Sequence, residues 1–500
     1  MASSWSLLSW RVAILSLIIG YALPAAAQQA PASTTGVPPD SIVHQQFVAA
    51  GNRLPFTVTS GTLPLSDGKG EAQASIFYVA YTRDDASHPS RPVTFVFNGG
   101  PGASSLYLHL AALGPRILSF APDGSLPAQP GGLVDNRDNW LDLTDLVFVD
   151  PVGTGFSRPA ATGDDAGKRF WGVREDLRAF AAFISLYLSR NNRMASPKYL
   201  VGESYGGFRA ARLPKLLDEE RGITIAGAFI VSPVLEFSLQ SADELFPIVD
   251  ALRLPSYAAV NLSRDKMPTP AMLEGAERFA LGPYLTALVS APHDAAVMRP
   301  IIAEVARLTG LSEAIVARYD GRVPVGVFAK EARRGDKMLL SRYDGSVSGP
   351  DAYPASDGAD QDPLYDALRA ALTAGMATYM ADTLGLHTDL TYRVASSEIA
   401  RQWNWRSGLG GGSGYVGAAD SLREALAANP QLRVIIAHGM TDLVTPYLTS
   451  RYVIGHMPPS LINGRVTLSL YAGGHMMYLR ADSRARLHED AAKLYAAPPI

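Results

Sequence analysis

The stretch YLVGESYGGFR, Tyr199 to Arg209, decides the fold. An apolar run stops at Gly202, a serine stands between Glu203 and Tyr205, and the chain restarts through Gly206 and Gly207 into a helix-like segment. A G-x-S-x-G turn of this kind holds its serine in a strained corner between strand and helix. Side chains on the flanking glycines would strike neighbouring backbone there. Glu203 is harder to account for, because an acid beside a nucleophile does not help it attack and repels an incoming anion.

The surroundings supply the strand and helix that such a turn needs. ASIFYVAY near 74 to 81 alternates like an antiparallel strand. VTFVF (93 to 97), DLVFV (145 to 149), AFIV (228 to 231), RVIIA (433 to 437) and VTLSLY (466 to 471) are short apolar runs with the look of buried parallel strands. Helical patterns lie between them, the clearest over Val173 to Asn191 with Leu177, Phe180, Phe183, Ile184 and Tyr187 on one face. Alternating strands and helices imply a doubly wound α/β sheet. From about Glu236 to about Trp405 the alternation breaks into helix signals such as DPLYDALRAALTAGM (362 to 376), read as an insertion over one end of the sheet; a separate helical domain is the alternative. GLGGGSG (408 to 414) lacks the ending of a phosphate loop and reads as a connector.

A serine nucleophile needs a base, and the base needs an acid to orient it. Asp442 follows the run ending at Ala437 and His475 follows the run ending at Tyr471, so both loops open at the sheet edge that carries Ser204. Of the nine histidines, His438 also lies at a strand end, where it reads as a structural residue. Donors for an oxyanion are offered by the glycine-rich turn FNGGPGASS (97 to 105) and by the N–H of Tyr205, directly after the serine.

Together NGGPGASS (98 to 105), NWLD (139 to 142), VDPVGTGFS (149 to 157), LVGESYGG (200 to 207), GMTDLVTP (439 to 446) and GGHM (473 to 476) resemble the serine carboxypeptidase family, in the family's order. The resemblance implies an α/β-hydrolase fold, a mostly parallel central sheet with helices on both faces and a helical cap at 236–405. The first part of the core would then run over 46–235 and the second over 406–500. It implies Ser204 as nucleophile, His475 as base and then acid, Asp442 as its orienter, and the N–H groups of Gly100 and Tyr205 as oxyanion hole. It assigns Asn98, Gly99 and Glu203 to the C-terminal carboxylate of a peptide substrate. Glu203 thereby acquires a purpose: crowded into a closed turn it is desolvated, keeps its proton, and donates to a carboxylate instead of repelling it. Peptide cleavage should favour acidic pH, while ester or acyl-transfer chemistry on the same scaffold is the alternative activity. The chain departs from the family at Ala112, where a second acid is usual, at Ala103, at Val96, and at Met477 and Tyr478 after the histidine.

The N-terminus carries Arg11, the apolar run Val12 to Leu23, and AAA at 25 to 27. This has the form of a cleavable leader (1–27) followed by a flexible Ala/Pro/Gln-rich mature start (28–45), and implies a periplasmic or secreted protein. The run is short of the roughly 20 residues that span a bilayer, although Trp5 and Leu7 could lengthen it into an anchor. Cysteine is absent, which removes disulfides and thiolate chemistry. With 47% hydrophobic and 18% charged residues and a net charge of −3, the 500-residue chain is globular and offers no basic stripe for nucleic acid. The cluster KEARR (330 to 334) reads as a solvated helix face. No metal or organic cofactor is implied; the expected partners are peptides, with no stable membrane association.

Overall fold

The computed structural model describes residues 37–49, 52–86, 90–126, 132–163, 166–240, 244–408 and 416–496. The expected leader at 1–27 and the connector beyond Gly408 lie outside these residues. The main sheet is built from β1 (Ser41–Ala49), β2 (Asn52–Ser66), β3 (Ala72–Arg83), β4 (Val93–Phe97), β5 (Asp145–Val149), β6 (Lys198–Glu203), β7 (Gly227–Val231), β8 (Arg433–Gly439) and β9 (Val466–Tyr471). Their spatial order is β1-β2-β3-β5-β4-β6-β7-β8-β9, with Arg158–Pro159 paired at the side of β3. The first three pairings, through β3–β5, are antiparallel, and all later ones are parallel. β4, β5 and β7 are buried at every position, which explains why their sequences are apolar apart from Thr94 and Asp145.

Helices cover both faces. On one face lie α1 (Val173–Arg190), α2 (Tyr205–Arg221) and, later in the chain, Ala419–Ala428; all five apolar positions noted on α1 are buried there. On the other lie the turn Leu106–Leu108 and the helices Pro363–Thr378 and Ala481–Ala496. This two-sided core, on a mostly parallel sheet of this order, is the α/β-hydrolase fold.

Between β7 and β8 the chain adds, among the described residues, no strand to the main sheet. It instead forms α3 (Ile248–Leu262), α4 (Pro270–Phe279), α5 (Ala295–Thr309), the helix Pro363–Thr378 and a ribbon of Met338–Leu340 with Ser348–Pro350. Several of these helices share a third apolar cluster, to which the β8 side contributes Leu443. Among the described residues no helix is long and apolar enough to cross a membrane.

Two expectations need correction. Ser41 to Gln45 is not a flexible tail: it forms the start of β1, paired residue by residue with β2 from Ser41 opposite Ser60. β2 changes its covered face along its length: its first half buries Phe56 and Val58 on one side and its second half buries Leu63 and Leu65 on the other. Lys330 is not on a solvated face either. It is 1% exposed and its Nζ lies 2.7 Å from Asp351 Oδ2, a pairing that a buried ammonium requires.

Candidate active site

Parallel register lines up the ends of the central strands. Glu203 lies opposite Val231, Val231 opposite Ala437, and Ala437 opposite Ser469, so the residues that follow share one edge of the sheet. At that edge β6 turns into α2 through Ser204. A Cβ on Gly202 would sit 2.0 Å from the Gly206 carbonyl oxygen, and one on Gly206 would sit 2.4 Å from that of Phe97, so only glycine fits either place. Ser204 has φ +59° and ψ −120°, a conformation that costs a side-chain-bearing residue about 1–3 kcal/mol. Its N–H donates to Val231 O at 2.9 Å, and its carbonyl accepts the N–H of Gly207 at 2.9 Å, which starts the helix. From Tyr199 to Ala211 every residue is buried except Ser204. The strain thus serves to present one hydroxyl.

Asp442 and His475 meet at the same edge. Asp442 Oδ2 accepts the Nδ1–H of His475 at 2.8 Å, with the two residues 0% and 2% exposed. The carboxylate is held by the N–H groups of Val444 and Thr445 on Oδ1, and by the Thr445 hydroxyl on Oδ2 at 2.6 Å. A carboxylate oxygen accepts in this contact, so Nδ1 carries the proton and Nε2 is left without one. The His475 loop is fixed from two sides: its carbonyl accepts the Ser232 hydroxyl at 2.8 Å and its N–H donates to the Tyr343 carbonyl at 2.5 Å. The Tyr343 ring also stands edge-on to the imidazole at 5.5 Å. Burial opposes a charge on His475, but the Asp442 carboxylate, its hydrogen bond and Glu203 outweigh that, and the net pKa is raised. Ser204 Oγ makes no hydrogen bond among the described residues; backbone links through Val231 and Ser232 place it on this edge.

The third group is the turn after β4. A Cβ on Gly99 would lie 2.4 Å from Tyr205 N and 2.7 Å from Glu203 O, so this turn rests directly on the elbow. Gly100 itself has φ +101°, open to glycine alone. Asn98 Oδ1 accepts the Leu108 N–H at 3.0 Å, which orients the amide so that Nδ2 donates to Glu203 Oε2 at 2.9 Å. The Tyr478 hydroxyl donates to the same Oε2 at 2.6 Å. Burial pushes the Glu203 pKa up to about 7, against the pull of His475 and of the Tyr478 and Asn98 hydrogen bonds, with Asp442 adding to the rise. Behind Asn98, the fully buried Arg209 donates to the Asn98 carbonyl and to both oxygens of Asp176.

All eight residues singled out in the sequence therefore gather at one strand edge. The supporting residues Thr445, Ser232, Tyr343 and Arg209 were not singled out; only Tyr478 had left a mark, as a departure after the histidine. His438 is buried with Nε2 2.8 Å from Ser450 Oγ, and burial, against the charge of Asp442, lowers its pKa to about 4. It is a neutral histidine bound within the fold.

Residues 50–242 match the family model of serine carboxypeptidases. Among curated proteins the chain is similar to serine carboxypeptidase-like 8 of Arabidopsis thaliana, 27% identical over 190 residues, covering 36% of this chain and 41% of that protein. It is also similar to serine carboxypeptidase-like 50 of the same plant, 34% identical over 152 residues, covering 30% of this chain and 31% of that protein. These alignments thus span less than half the length of either relative. Among solved structures it is similar to a proline iminopeptidase of Mycobacterium smegmatis, at 14% identity and a TM-score of 0.38 over 87% of this chain and 98% of that one; the fold assignment rests on the sheet topology itself. The matched segment carries the glycine-rich turn, the elbow serine and Glu203, so this part of the chain is similar to the serine carboxypeptidases.

Proposed function

We propose that the protein is a serine-type carboxypeptidase that releases C-terminal amino acids from peptides. The observation that carries this reading is the buried Glu203 carboxyl, held by Asn98 immediately beside Ser204, the one residue of the elbow that is only half-buried. In the reaction His475 Nε2 takes the Ser204 hydroxyl proton as Oγ bonds to the scissile carbonyl carbon, and Asp442 steadies the imidazolium. The carbonyl oxygen becomes an oxyanion received by the N–H groups of Gly100 and Tyr205. Collapse breaks the C–N bond as His475 returns the proton to the leaving amine. Water, activated by the same histidine, then hydrolyses the acyl-serine. Asn98, the Gly99 backbone and the neutral Glu203 hold the terminal carboxylate, which selects a chain end over a chain interior.

The test is incubation of blocked dipeptides, as free acids and as amides, from about pH 4 to about pH 8. Release of the C-terminal residue from free acids, declining as pH rises, is expected; hydrolysis of esters alone would replace this reading with an esterase or acyltransferase on the same site. We also propose export to the periplasm or medium, on the strength of the leader-like sequence at 1–27, and a cap role for the excursion between β7 and β8. N-terminal sequencing of exported protein starting at Gln28 checks the first. Loss of peptide selectivity with retained ester cleavage, on substitutions along the excursion, checks the second.

A further inference from the structure

Glu203 accepts two hydrogen bonds, and both fall on the same oxygen. Asn98 Nδ2 reaches Oε2 at 2.9 Å with an orientation that the Leu108 N–H enforces, and the Tyr478 hydroxyl reaches it at 2.6 Å. Oε1 has no hydrogen-bond partner among the described residues. We propose that Tyr478 is a positioning residue that, with Asn98, reserves Glu203 Oε2 as an acceptor and confines the acid's proton to Oε1, from which it is donated to the substrate's terminal carboxylate. The inference rests on the carboxypeptidase reading.

The reasoning is one of donor and acceptor count. A proton on Oε2 would turn the Tyr478 hydroxyl from donor to acceptor and leave its hydrogen without a partner, since that hydroxyl makes no other bond among the described residues. Tyr478 is 1% exposed, so water does not compensate it, and a buried unpaired donor is costly. A proton on Oε1 leaves both bonds intact. No free choice remains in the neutral acid: the oxygen without protein partners is the one that carries hydrogen.

Tyr478 also sets how firmly the proton is held. Its hydrogen bond favours the ionised acid and so opposes the effect of burial. The other groups facing Glu203 are His475 and Asp442 of the triad and the hydroxyls of Tyr107 and Tyr343. Those tyrosines are pushed up by burial and stay neutral through the working range, as does Tyr478 itself. Ala112 lines the same small cavity as Tyr478 and offers Glu203 no bond of its own. A non-titrating donor therefore stands at this acid, carried on the turn Met477–Leu479 that directly follows the base.

The experiment compares wild type with Tyr478→Phe by two readouts. In protein labelled with ¹³C at the glutamate carboxyl, with Glu203→Gln as the reference that removes the signal, the Glu203 titration midpoint should rise by about one pH unit, because a hydrogen bond to the charged form is lost. The alkaline limb of kcat/KM for a free-acid dipeptide should move up with it, while an ester without a carboxylate shows no such limb in either protein. In a Glu203→Gln background, Tyr478→Phe should shift no limb. An unmoved midpoint, or a moved midpoint with an unmoved limb, overturns the proposal. Failure to cleave free acids at any pH instead overturns the carboxypeptidase reading, and the ¹³C titration still decides the hold of Tyr478 on the proton.

Discussion

His475 Nδ1 donates to Asp442 Oδ2 across 2.8 Å inside a site where neither residue meets solvent. That contact determines which imidazole nitrogen remains available. Asp442→Asn would present an amide that can supply a donor in place of the acceptor and reverse the tautomer. The expected result is a fall in kcat of about 10³ to 10⁴ with little change in KM, measured on an ester substrate. Full activity in the variant would remove Asp442 from the proposed triad.

Ser204 should be the residue labelled by an organophosphate reagent. Ser204→Ala should abolish labelling, and so should Gly202→Ala, whose added carbon would collide with the Gly206 carbonyl and break the elbow. Peptide mapping of the labelled protein checks both; stoichiometric labelling elsewhere would exclude Ser204 as nucleophile.

The pH dependence should differ between substrate types. The raised pKa of His475 means that all cleavage declines at low pH as the base becomes protonated. Free-acid peptides should lose rate again as pH rises through about 7 and Glu203 ionises, whereas esters should keep a high-pH plateau. Glu203→Gln, whose amide can occupy the place of the neutral acid, should flatten the alkaline limb for peptides. Because His475 and Glu203 interact, the two limbs belong to the pair and not to either group alone.

Stability should follow the same group with the opposite preference from an ordinary salt-bridged carboxylate. The folded chain binds the Glu203 proton more tightly than the unfolded chain, whose value is near 4.5. This contribution is complete below about pH 4.5 and is lost as pH rises through about 7. Glu203→Gln should therefore gain in melting temperature relative to wild type on moving from about pH 5 to about pH 8. An equal difference at both values would contradict the buried-acid account.

Arg209 and Asp176 form a buried pair, 0% and 4% exposed, which also carries the Asn98 carbonyl. Arg209→Met should cost about 3–5 kcal/mol in urea unfolding, since it leaves Asp176 charged and unpaired. Adding Asp176→Asn should restore part of the loss. Additive effects of the two substitutions would mean that the pair does not act as a unit.

The elbow, Asp442 and His475 were legible in the sequence because each sits a few residues past a short apolar run, and parallel strands that end in register bring such residues together without further information. Glu203 and Asn98 were legible only through the family resemblance. Tyr478, Thr445 and Ser232 were not, because a hydroxyl reaching across strand ends leaves no periodic trace. Arg209 was hidden for a related reason: its partner Asp176 lies a helix away, and a buried arginine on an otherwise apolar helix face looks like a solvent-facing one. β1 and β2 escaped notice because an edge strand covered on different faces along its length alternates without a consistent side.

The Tyr343 carbonyl, which holds the His475 N–H, belongs to the excursion between β7 and β8 and not to the sheet. The setting of His475 is therefore built jointly by two parts of the chain laid down more than a hundred residues apart. Shortening the excursion would remove a brace from the imidazole along with any cover it provides, so its length can drift during evolution only where Tyr343 keeps its place. Transplanting the excursion onto another sheet of this type would carry part of the setting of His475 with it.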